Sequence, residues 1–275
     1  MSTATASVAP HVRSESLGHL TFARVLRSEW IKLRSLRSTF WTFAIVLVVG
    51  IGLSALVAFA VPATRIPAAE HAAFVARTTS FGVSLGQLAV AVLGVLAISG
   101  EYSTGMIRSS FAAVPRRLPV LLAKAITLFA SSFVVGAVTV AISWAIAAPV
   151  LSGKGITATF FSSDTMWAIA GAGVYLGCVA VFGLGLGTLI RSGAGGIAAA
   201  LGAVFLLPII VGLVFRLTNI DWIGKANDYL ISNAGAAMAG GTNGDFEPWQ
   251  NVLVVAVWTV VSLVAGAFVL MRRDA

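Results

Sequence analysis

The sequence predicts an all-α membrane protein: six transmembrane helices preceded by an N-terminal amphipathic interfacial helix on the cytoplasmic side. Three observations predict it. First, 58% of the 275 residues are hydrophobic and only 10% are charged, whereas soluble globular chains carry about 25% charged residues. Second, the apolar residues gather into uninterrupted runs of roughly 19 to 27, the length a helix rising 1.5 Å per residue needs to cross about 30 Å of hydrocarbon. Third, the charges lie between these runs or near their edges and are unequally shared between alternate connections. The first 38 residues lack the apolar core of a cleaved leader, so the N-terminus is expected to be retained.

Residues 1–19 read as a flexible cytoplasmic N-terminus and residues 20–38 as the amphipathic helix. Placed at 100° per residue, Phe22, Val25, Leu26, Trp30, Leu33 and Leu36 fall within an arc of roughly 140°, and Arg24, Arg27 and Arg34 lie opposite. Such a helix is expected to rest its apolar face among lipid headgroups and hold its cations, Lys32 and Arg34 included, near anionic lipid. Glu29 falls inside the apolar arc, between Val25 and Leu33, and a carboxylate there needs a partner. Two partners stay open: Lys32 three residues on, or a cation of another element or chain.

The six spans of the transmembrane domain, 39–275, are read as Thr39 to Val61, Phe81 to Ser99, Val120 to Pro149, Met166 to Ile190, Ala194 to Phe215 and Val252 to Met271. An even number places both termini on one side. That side holds thirteen of the eighteen basic residues: six before the first span, three between the second and third with Lys124 just inside the third, Arg191, and the pair Arg272 and Arg273. The positive-inside rule makes it the cytoplasm, and the location a multi-pass protein of the inner (plasma) membrane. The same asymmetry accounts for the net charge of +8, so no nucleic-acid partner is needed to explain it. Glycine pairs at four-residue spacing, Gly82 and Gly86, Gly173 and Gly177, Gly183 and Gly187, predict close helix contacts, within one bundle in preference to a dimer seam. Pro208 predicts a kink in the fifth span. Cys178 stands alone, which leaves neither a disulfide nor a multi-cysteine metal site within the chain.

Two connections carry the interest. In 100–119, Ser103 or Thr104 could cap a short helix, Ile107 and Phe111 would share a face, and Pro115 would stop it. Arg116 and Arg117 are placed to hold phosphates or carboxylates, and Pro119 suits the first turn of the next span. The plain alternative is an ordinary positive-inside loop. The connection 216–251 is long for a structureless link and rich in apolar residues, among them Trp222, Tyr229, Phe246 and Trp249. It is expected to hold structure of its own, with Gly235, Gly240, Gly241 and Gly244 at its turns.

Chemistry inside the membrane is not expected. A charge at mid-bilayer costs about 2.5 to 3.5 kcal/mol on insertion scales, and all ten acidic residues and three histidines fall outside the spans or at their edges. This disfavours an ion-coupled secondary transporter. There is no His-Glu-x-x-His motif and no nucleophile beside a histidine. Nor is there a phosphate-binding loop; the nearest fragment is Ser152-Gly153-Lys154-Gly155. The chain is expected to be no enzyme, with no cofactor of its own.

The segments Ser28-Glu29-Trp30-Ile31-Lys32-Leu33 and Gly100-Glu101-Tyr102-Ser103-Thr104-Gly105, the latter followed by Pro115-Arg116-Arg117, resemble those of ABC-2 type ABC transporter permeases, which export drugs, peptides or lipids. The resemblance implies a membrane-spanning subunit paired with a second permease chain, identical or not, and resting on two copies of an ABC ATPase that carries the ATP and Mg. It implies that a coupling helix lies between the second and third spans, which assigns ATPase coupling to Glu101, Tyr102, Thr104, Met106, Ile107, Arg108, Phe111, Arg116 and Arg117. It assigns an interfacial role to Glu29, Trp30, Lys32 and Arg34, and short re-entrant or surface helices to the outer loop. A membrane immunity or assembly factor that moves nothing is the alternative of another class.

Overall fold

Long apolar runs have no water to bond their backbones in lipid, so each must close its own hydrogen bonds as a helix. The computed structural model describes residues 21–62, 66–105 and 117–272, and among these there is no strand. Helix α1 covers Phe22–Ser35 and breaks at Leu36, whose backbone is extended. Helices α2 (Arg37–Ala60), α3 (His71–Ser80) and α4 (Val83–Ser103) follow. Next come α5 (Arg117–Ser152) and α6 (Ser163–Ile190). The next run, α7 (Gly193–Thr218), is one span with a wider π-helical turn at Gly202–Leu206. Two short helices, α8 (Asp221–Asp228) and α9 (Ile231–Met238), lead to α10 (Pro248–Arg272). Six of these, α2, α4, α5, α6, α7 and α10, are long and apolar enough to cross a membrane. The protein is a multi-pass membrane protein, and its spans sit within a few residues of those read from the sequence.

Helix α6 is the centre, packed by α4, α5 and α10. Its most apolar stretch is 72% buried, against 11% for α7, which lies outermost. The glycine pairs explain the close packing. A Cβ on Gly183 would stand 2.3 Å from the Ala91 carbonyl oxygen, and one on Gly94 would stand 2.0 Å from that of Ala180. Only glycine lets α4 and α6 approach this far. Gly173 and Gly177 meet Phe133 and Phe129 of α5, and Gly82 meets Gly50 of α2. These seams all lie within the one bundle.

The structure adds detail to two of these readings and changes a third. The break at Pro208 takes the form of the π-helical turn just before it, in which the Leu207 N–H reaches back to the Gly202 oxygen; widening the helix accommodates the ring and the missing donor. Gly235 is not at a turn but inside α9, over the Tyr175 ring, where a Cβ would come within 1.9 Å of a ring carbon. Of the four glycines expected at turns of the 216–251 connection, Gly240 and Gly244 have the positive φ of turns, 94° and 51°. The fragment around Lys154 has a structural role: its ammonium donates to the oxygens of Ala58, Phe59 and Val61, at 2.9, 2.8 and 2.5 Å, and so closes the carbonyl end of α2.

Candidate functional site

Helix α1 shows why Glu29 falls on an apolar arc. Val25, Glu29 and Leu33, four residues apart, form its buried edge, and α1 packs on α5, with Val25 against Val120 and Ala123. Phe22, Trp30, Ile31 and Leu36 remain exposed on the helix, as does Arg34. The apolar arc is thus divided: one edge is taken by protein, the rest is free.

Both partners left open for Glu29 are present. Its Oε1 accepts from Lys32 at 2.8 Å and its Oε2 from Lys124 of α5 at 2.7 Å. Lys32 and Lys124 in turn both donate to Oε1 of Glu101, at 3.1 and 2.9 Å. Two carboxylates and two ammoniums close a ring that is neutral overall and joins α1, the last turn of α4 and the start of α5. Glu29 is 3% exposed, Lys124 5% and Glu101 7%, so the ring is inside protein and only Lys32 reaches water. Burial acts to raise the Glu29 carboxyl, but Lys124 and Lys32 outweigh it and hold it below the ordinary range. Burial likewise acts to lower the Lys32 ammonium, and Glu29 and Glu101 outweigh that and raise it.

The ring forms one wall of a cavity of about 400 Å³ whose other walls include Leu33, Leu36, Leu96 and Ala97. The second oxygen of Glu101, Oε2, is buried and has no hydrogen-bond partner among the described residues. Such an oxygen at a cavity wall leaves one acceptor unused.

The residues that the sequence assigned to coupling divide three ways. Glu101 and Tyr102 belong to α4 itself, and the Tyr102 ring lies 5.4 Å from the guanidinium carbon of Arg191 at the end of α6. The hydroxyls of Ser103 and Thr104 donate back to the Gly100 oxygen at 3.0 and 2.8 Å, closing α4; the short helix they were expected to cap falls outside the described residues. Arg117 opens α5, with Pro119 in its first turn. Met106, Ile107, Arg108, Phe111 and Arg116 lie outside the described residues, as do residues 1–19.

Sequence reasoning missed Lys124, which it counted with the connecting loop. A lone cation about one turn into an apolar run was the available signal, because such a charge has to be paired. The connection to Glu29, 95 residues away, has no sequence signature. In comparisons with known proteins, no family model and no curated protein matches this chain.

Proposed function

We propose that this chain is the membrane-spanning permease subunit of an ABC transporter of the ABC-2 type, exporting an amphipathic cargo with ATP hydrolysed on a separate subunit. The observation that supports the reading is the ion-pair ring. Glu29 and Glu101, one from each segment that carries the resemblance, are 72 positions apart in the chain, yet they share the same two lysines. A connection between α4 and α5 that docks on an ATPase would deliver its motion to the two ends that flank it. The ring ties those two ends to α1, so a displacement of one is felt by all three.

In this reading the ring faces the cytoplasm with both termini, in keeping with the thirteen basic residues on that side. Two ATPase copies hold the ATP and Mg, a second permease chain of the same or another sequence completes the pathway, and this chain catalyses nothing. The free apolar edge of α1, with Trp30 exposed, rests on lipid headgroups.

The test is capture of the ATPase by wild type, Phe111→Ala and Arg108→Ala at matched expression. An aromatic anchor at an interface typically contributes 2 kcal/mol or more, so Phe111→Ala should weaken association about thirtyfold. Arg108→Ala should weaken it less, and in a salt-dependent way. Equal recovery of the ATPase by all three would defeat the reading.

A further inference from the structure

At the end of the bundle away from the ring, α3, α4, α6 and α9 enclose a second cavity of about 160 Å³. Its floor is closed by polar groups already satisfied. The Tyr175 hydroxyl donates to Oε1 of Gln87, and Nε2 of Gln87 donates to the Ser84 oxygen at 2.8 Å. Its sides are not satisfied. The hydroxyls of Ser80 and Ser232 both line the cavity, are 6% and 8% exposed, and have no hydrogen-bond partner among the described residues. A buried hydroxyl without a partner is unfavourable, and two lining one space are not explained by packing. The lining also holds one cation, Arg77, which is exposed at the mouth and makes no ion pair among the described residues, and it holds no acid.

Two donors without acceptors and a guanidinium, with no opposing carboxylate, suit an anion with several oxygens. The space is on the order of five water volumes, enough for a tetrahedral group and not for a large organic molecule. We propose that this cavity binds a phosphate group, either free or on a lipid headgroup, with Arg77 at the mouth and Ser80 and Ser232 donating from two of its helices, α3 and α9. The walls are held for it: Ser54 of α2 donates to the Thr79 oxygen at 2.8 Å, fixing the end of α3 beside Ser80. Gly235 seats α9 on the Tyr175 ring, fixing the helix that carries Ser232. The inference stands apart from the transport reading, because the chain should bind without any partner.

The experiment uses the full chain in maltoside micelles, which carry no phosphate, and follows its thermal unfolding midpoint, which a ligand of the folded state raises. The probes are inorganic phosphate, dihexanoyl phosphatidic acid, and dihexanoylglycerol, which has the same tails and no phosphate. A rise with inorganic phosphate supports the site and marks a free anion, whereas a rise with phosphatidic acid alone supports it and marks a headgroup. Arg77→Gln and the double variant Ser80→Ala/Ser232→Ala should each bind about tenfold or more weakly. The double variant removes two unsatisfied groups, so without probe it should unfold no earlier than wild type, which a merely structural pair of serines would not allow. No rise with either phosphate compound, an equal rise with dihexanoylglycerol, or undiminished binding by both variants would overturn the proposal.

Discussion

Glu29 and Lys124 are almost wholly removed from solvent, and taking an ion out of water costs several kcal/mol that only its partners offset. Removing one member therefore leaves the others exposed to that cost. Lys124→Met should destabilise the chain by about 3 kcal/mol or more, while Glu29→Gln/Lys124→Met together should lose less than the sum of the two single changes. A double-mutant cycle of unfolding midpoints checks this, and strict additivity would mean that the pair is not coupled. The pH dependence follows from the same ring. The Glu29 carboxyl is held below its ordinary 4.5, so its contribution is complete above that value and is lost as pH falls through the lower folded pKa. The Lys32 ammonium is held above its ordinary 10.5, so its contribution is complete below that value and is lost as pH rises through the higher folded pKa. Stability from the ring should therefore be flat between these limits and fall outside both. The paired variant should flatten the acid limb in a melt series across pH.

At the scale of elements, contact between helices rests on absent side chains and on capped ends. Gly94→Ala places a methyl group against the Ala180 backbone, which cannot yield as a flexible side chain would, so α4 and α6 must part. Overpacking of this kind costs about 1 to 3 kcal/mol. Gly52→Ala in α2 meets nothing within 4 Å and should be neutral or stabilising, by up to about 1 kcal/mol. Chemical unfolding of the two variants should show opposite signs. Lys154→Met removes the cation that closes α2 and should cost about 1 to 2 kcal/mol, with Lys154→Arg recovering part. If Lys154→Met unfolds as wild type does, water serves those carbonyls equally well.

For the whole molecule, the uneven charge predicts one orientation. Cysteines at Ser35, the last residue of α1, and at Phe161, in the connection between α5 and α6, should label oppositely with an impermeant thiol reagent in intact cells. Both positions are exposed, Phe161 at 84%. Only Phe161→Cys should react from outside, and labelling of Ser35→Cys would reverse the orientation. Asn243, between α9 and α10, would be a poor probe, because it is buried and donates to Asp228 and Asn251.

The sequence by itself determined that six helices cross the membrane and roughly where each begins, because the length of an apolar run is a local property and lipid leaves the backbone no other solution. It also determined that Glu29 needs a partner, since its place on the arc follows from helical spacing alone, and that the connection between the last two spans holds structure. What it left open is whatever depends on two distant positions meeting. Lys32 was a visible candidate for Glu29, but Lys124 and Glu101 became partners only when α4 and α5 were packed beside α1. Helix α3 and the buried hydroxyls of Ser80 and Ser232 have no signal in the chain, because a serine's lack of a partner is a fact about its surroundings. Tertiary packing alone decided these, since burial sets whether a polar group is solvated, paired or waiting for a ligand.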